Sequence, residues 1–245
     1  MKHGVKLETL SWVEAERYFA VNPVVVIPLG AAAKEHGPHL PLNNDAIITD
    51  WLAEQLRRLR PVVIAPLINA SYYPAFVDYP GSISLRAETA RDVIVDSCSS
   101  LARFGLTRFY VLNTGISTLG PLAAAKSLLG DKLVFEYLRL DKALQTLPPG
   151  LLAQRYGSHA DEAETSLMLH IAPEVVDMSL AVDDGVEGEG RLTRQRGEGL
   201  WSRSGIYGQA TLASADKGRS IAEHLVQHCL QSIDACGATV LQRGE

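Results

Sequence analysis

Four short aliphatic runs, Val24 to Leu29, Val62 to Leu67, Thr107 to Leu112 and Leu133 to Leu138, recur along the N-terminal part of the chain with helix-patterned segments between them. Continuous apolar runs of this length mark strands buried on both faces, as in a parallel sheet. The intervening patterns predict helices over 9–19 with Thr9 or Ser11 as N-cap, 46–59, 88–104 and 121–129, and a last amphipathic helix follows over 214–233. Arg57 and Arg58 close the second of these helices, where cations suit the helix dipole. Strands alternating with helices build an α/β protein. The expected architecture is a three-layer α/β/α sandwich around a mostly parallel sheet. No repeat, low-complexity block or linker divides the 245 residues, so a single domain over 1–245 is expected.

Charge and composition remove several function classes. The net charge is −5 and the 23 basic residues are scattered, which leaves no electrostatic footprint for nucleic acid or an anionic membrane. The N-terminus has no apolar leader pattern and no segment approaches the roughly 18 apolar residues of a membrane span, so a cytoplasmic protein is expected. Cys98, Cys229 and Cys236 are odd in number and lack C-x-x-C spacing, which argues for structural thiols. There is no G-x-S-x-G elbow and no phosphate loop. Gly185, Gly188 and Gly190 form a G-x-x-G-x-G pattern, but it lies in an acidic stretch that does not follow a strand.

Chemistry concentrates where the first strand ends. From Pro28 to Asp45 the chain reads PLGAAAKEHGPHLPLNND, and Glu35, His36, His39 and Asp45 lie within eleven residues of it, stiffened by Pro38 and Pro41. In open α/β sheets ligands bind outside the carboxyl ends of strands. The loop after Leu112, Asn113-Thr-Gly-Ile-Ser117-Thr118, is a second polar loop at such an end, so the two are expected near one another. The densest acidic cluster, His159-Ala-Asp161-Glu162-Ala-Glu164, precedes an apolar turn. His36, Asp45 and Glu164 are a ligand set that suits zinc, manganese or iron in a hydrolytic site. The same letters also fit a buried histidine and ordinary helix-capping carboxylates. Tyr72, Tyr73, Phe76 and Tyr79 could wall a pocket or pack a loop or subunit contact, and 183–199 is expected to be a long surface loop or flap.

The stretch 28–45 resembles the metal-binding signature of the creatininase family of metal-dependent amidohydrolases. Later segments agree in order: Tyr79-Pro-Gly-Ser-Ile-Ser-Leu85, Val111-Leu-Asn113, His159-Ala-Asp-Glu-Ala-Glu164-Thr-Ser, Gly205-Ile-Tyr-Gly208 and Thr211 to Gly218. The resemblance implies the creatininase-like fold, hydrolysis of a C–N bond in a small or cyclic amide, and a homo-oligomer, a hexamer. It places His36 on a metal ligand, Asp45 on the carboxylate that bridges two metals, Glu164 on a second-metal ligand and His159 on the acid/base or carbonyl-binding histidine. Tyr72, Tyr73 and Ser117 are the expected substrate contacts.

Two positions depart from the family pattern. Lys34 stands where the family has a glutamate, with Glu35 one place later, and 113–118 lacks the histidine that binds the other metal. One divalent metal, zinc, manganese or iron, is therefore expected rather than two. Lys34 can stand in for the second cation and take a catalytic role, or Glu35 can turn inward as a ligand with help from His39, or the metal can be lost and the scaffold kept for ligand binding.

Overall fold

The structure is a computed structural model that describes residues 3–185 and 190–239. Five parallel strands form its sheet: β1 (Val5–Lys6), β2 (Val25–Leu29), β3 (Val63–Ile64), β4 (Arg108–Asn113) and β5 (Val134–Tyr137), in the order β1-β3-β2-β4-β5. The helices are α1 (Trp12–Phe19), α2 (Asn44–Leu59), α3 (Ala87–Ala102), α4 (Leu119–Leu129), α5 (Leu140–Gln145), α6 (Glu162–Ile171) and α7 (Ala215–Ala238). Alternate residues of each strand feed opposite cores, because side chains alternate across a strand. Val25, Ile27, Leu29, Phe109 and Val111 pack beneath α1, α3 and α4. Val26, Ile64, Tyr110 and Leu112 pack against α2, α5, α6 and α7. This is the expected three-layer sandwich.

Local chemistry explains most boundaries. Ser11 caps α1 in a capping box with Glu14, so the helix starts later than the apolar pattern from Thr9 suggests. The expected strand from Val62 to Leu67 shortens to two residues, because Pro66 removes a ladder donor; only an isolated bridge from Leu29 to Ile68 continues the pairing. The three cysteines are free and buried. No helix among the described residues is long and apolar enough to cross a membrane.

The segment expected to be a surface flap is partly structured. Short strands β6 (Asp183–Asp184) and β9 (Gly208–Gln209) pair antiparallel, and β7 (Leu192–Thr193) pairs with β8 (Leu200–Trp201). Leu192 and Leu200 are buried against Tyr73 and Phe76, so apolar burial overrides the loop-like composition here. Residues 186–189, with Gly188 of the G-x-x-G-x-G pattern, lie outside the described residues.

Helices α6 and α7 meet closely, and a half-buried ion pair joins them. Glu162 is fully buried, accepts from the backbone N–H groups of Ala153 and Gln154, and pairs with Lys217 Nζ, which also donates to the carbonyl of Leu212. A Cβ on Gly218 would overlap the carbonyl of Ser166, so this crossing requires glycine. Gly218→Ala is expected to lower stability by about 1–3 kcal/mol in urea unfolding, as overpacking does. Gly120→Ala in α4, where a Cβ meets nothing within 4 Å, is expected to cause no loss.

Candidate metal centre and its cleft

The strand register places Leu29 beside Asn113, so the loops after β2 and β4 open side by side at the carboxyl edge of the sheet. Gly30 lets the first turn of α2 lie directly against the end of β2, since a Cβ there would run into Thr49 and the Asp45 backbone. The loop then folds back on itself through Lys34 N to Leu42 O at 2.9 Å, and Glu35 N donates to Ser82 Oγ at 2.9 Å. These contacts hold the Lys34-Glu35-His36 run at the base of α2.

Two histidines converge there, each with one ring nitrogen on a backbone carbonyl. His36 is fully buried, and its Nδ1 lies 2.9 Å from the carbonyl of Lys34. A carbonyl only accepts, so Nδ1 donates to it, while Nε2 faces Asp45 Oδ1 at 2.9 Å. His159 Nε2 lies 2.9 Å from the carbonyl of Glu35 and 3.1 Å from its Oε2, so Nε2 donates and Nδ1 turns the other way. That Nδ1 is 3.7 Å from Glu164 Oε2, and the two rings are 4.9 Å apart between centroids. One ligand atom each from His36, His159 and Glu164 lies within 4.8 Å of the others, all three residues buried.

This donor set fits one divalent cation. Each histidine is held by its far nitrogen on a carbonyl, which is how metal-ligating imidazoles are oriented, and the third donor is a carboxylate. Burial opposes the charged form of His159, but Glu35 and Glu164 outweigh it and hold its pKa above the usual histidine value.

The other expected ligands lie beside this set. Asp45 is 1% exposed; its Oδ1 is 2.9 Å from His36 Nε2 and its Oδ2 is 2.7 Å from Lys34 Nζ. Burial pushes its carboxyl up, but Lys34 and His36 prevail and hold it well below the ordinary range. Lys34 itself is buried, with its ammonium 4.8 Å from the Phe76 ring and 5.5 Å from that of Tyr73. Glu35 turns inward, accepts from the N–H of Gly37, and serves as the partner of His159. His39 stands behind the loop with Nε2 2.8 Å from Thr165 Oγ1, and burial pushes its pKa down to about 4, so it stays neutral. The loop after β4 closes on itself: Asn113 donates to Gly115 O at 2.7 Å and accepts from Thr118 Oγ1 at 2.6 Å.

Lys34, His159 and Glu164 line a cleft of about 820 Å³, with Tyr72, Tyr73 and Ser117 also on its wall. Three further residues shape this site without having been singled out as site residues from the sequence. Phe76 stacks 4.3 Å from the His159 ring, between centroids. Asp161 caps α6 by accepting from Ala163 N and Glu164 N, and burial, with the nearby Glu164 charge, pushes it up to about 6. Gly205, at φ +89°, lies so close to Glu35 that any Cβ would overlap the carboxylate. Phe76 was visible only as one of four clustered aromatics, and Gly205 only within a short matching segment.

Comparison with known proteins agrees with this geometry. The family model described as creatinine amidohydrolase matches residues 8–233. The chain belongs to the creatininase family. Membership places it among hydrolases that act on amide C–N bonds. The creatinine amidohydrolase of Pseudomonas putida is 26% identical over 204 residues, covering 75% of this chain and 78% of that one. A mycofactocin precursor peptide peptidase of Mycolicibacterium smegmatis is 27% identical, covering 86% of this chain and 84% of its own. The 3-dehydro-scyllo-inosose hydrolase of Thermotoga maritima is 24% identical, covering 92% and 81%. A crystal structure of creatininase superposes with a TM-score of 0.74 at 23% identity, covering 97% of this chain and 99% of that one, and so shares the fold. Within this creatininase fold, Lys34 Nζ lies 2.7 Å from Asp45 Oδ2, and Thr114 to Ser117 of the histidine-free loop line the same cleft as Lys34.

Glu35→Gln would set an amide NH2 against the Nε2–H of His159. The expected result is a changed His159 tautomer balance in ¹⁵N spectra and cobalt affinity weaker by roughly 10–100-fold, with thermal unfolding still cooperative.

Proposed function

We propose that this chain hydrolyses the C–N bond of a small-molecule amide with one divalent metal, zinc, manganese or iron, on His36, His159 and Glu164, and with Lys34 supplying the second positive charge. The convergence of His36, His159 and Glu164, with one ligand atom each within 4.8 Å of the others, carries this reading. Related structures include a creatininase described as its manganese form and a creatininase variant of a zinc–zinc type, both at 24% identity. The metal would act as a Lewis acid, polarising the amide carbonyl and strengthening water as a nucleophile.

The chain's own groups arrange the rest. Water adds to the carbonyl carbon, the C–N bond breaks, and the proton passes to the leaving nitrogen. Asp45, shared between Lys34 and His36, fixes the ammonium on the cleft wall, where it meets negative charge growing on the carbonyl oxygen. Glu35 keeps His159 turned with Nδ1 toward Glu164. Tyr73 and Phe76 cover Lys34 and His159 and limit water there.

A second reading keeps the metal on His36 and Glu164 with Asp45, and makes His159 the proton carrier. Its pairing with the Glu35 carboxylate favours this, since such a pair is the usual support of an imidazole base.

Metal analysis after zinc reconstitution is expected to give about one metal per chain in the wild type, and His36→Ala and Glu164→Gln are expected to lose it. His159→Gln separates the two readings: metal is lost if His159 is a ligand, and is kept with kcat reduced about 10²–10⁴-fold if it carries the proton. Wild-type occupancy below about 0.2 per chain removes the metal hydrolase altogether.

A further inference from the structure

The size and lining of the cleft bear on which amide it takes. A cavity of roughly 150 Å³ holds a benzene-sized ring, so a compact cyclic amide would fill about a fifth of the 820 Å³ here. The remainder borders on two separate apolar clusters. Tyr73, Phe76 and Leu200 belong to one, built from the turn after β3 and the β7–β8 pair. Leu144 and Leu152 belong to the edge of the main core near α5, and Ile116, 47% exposed, stands at the tip of the loop after β4. The metal-ligating and charged groups Lys34, His159 and Glu164 are on the same lining. A site of this kind recognises a polar reacting group joined to an apolar body.

We propose that the substrate is a small-molecule amide with an apolar acyl or aryl arm, the arm lying between the two clusters and the amide at Lys34, His159 and Glu164; this rests on the amidohydrolase reading. An extended peptide is disfavoured by the backbone. Peptide strands dock by pairing with a strand edge, and the strands that reach the cleft among the described residues, Leu192–Thr193 and Leu200–Trp201, are only two residues long and offer little edge to pair with.

Straight-chain N-acyl anilides from acetyl to octanoyl, titrated calorimetrically into zinc-loaded and zinc-free protein, test the proposal. The expected Kd falls by about twofold to fourfold per added methylene. Leu144→Asp and Ile116→Asp are expected to flatten that gradient. Leu128→Asp, a 60% exposed site on α4 away from the cleft, is expected to preserve it. Graded binding without turnover would support the apolar arm while counting against the hydrolase. A Kd that does not change from acetyl to octanoyl, or tighter binding of an apolar tetrapeptide anilide than of the octanoyl anilide, would overturn it.

Discussion

Asp45 is a buried carboxylate held between an ammonium and an imidazole, and the site depends on that arrangement. Taking these groups out of water is costly, and the cost is met only while the pairing is intact. Removing one partner of such a pair typically costs about 3–5 kcal/mol, because the remaining charge stays buried. Asp45 sits in the first turn of α2, and Lys34 and His36 sit in the loop that leaves β2, so the ion pair also ties a strand end to a helix start. The glycine at 30 makes that close approach sterically possible.

A second charge arrangement completes the centre. Glu35 and Lys34 are adjacent in sequence, yet they serve opposite sides of the loop. Lys34 pairs with Asp45, while Glu35 reaches across to His159, which comes from the turn before α6. Gly205, far along the chain, leaves room for the Glu35 carboxylate, and Ser82 holds its backbone N–H. Three distant segments thus converge on one residue whose only local signal is its place beside a histidine. Charge balance links the two halves: Lys34 and the His159 imidazole face Asp45, Glu35 and Glu164 across a few ångströms.

Much of the scaffold was legible because its determinants are local or periodic. Continuous apolar runs identify β2 and β4, and their observed bounds differ from the expected ones by one residue at each changed end. The buried strand near Val63 was shorter than its apolar run because proline acts on the ladder, not on hydropathy. The stretch 183–199 read as a flap from composition, but Leu192 and Leu200 found a partner surface on Tyr73 and Phe76. That contact is non-local, and no window of sequence contains both sides of it.

The sequence by itself determined the α/β architecture, the placement of chemistry at the carboxyl ends of β2 and β4, and the presence of His36, Asp45, His159 and Glu164 as possible donors. Periodicity, proline stiffening and residue chemistry act over a few residues, so they can be read without the fold. Only the tertiary structure decided how those donors are grouped. It joined His159 with His36 and Glu164, set Asp45 against Lys34, and turned Glu35 onto His159. The reason is geometric: hydrogen bonds to particular backbone carbonyls select which imidazole nitrogen faces the site, and those carbonyls take their positions only after the loops have packed.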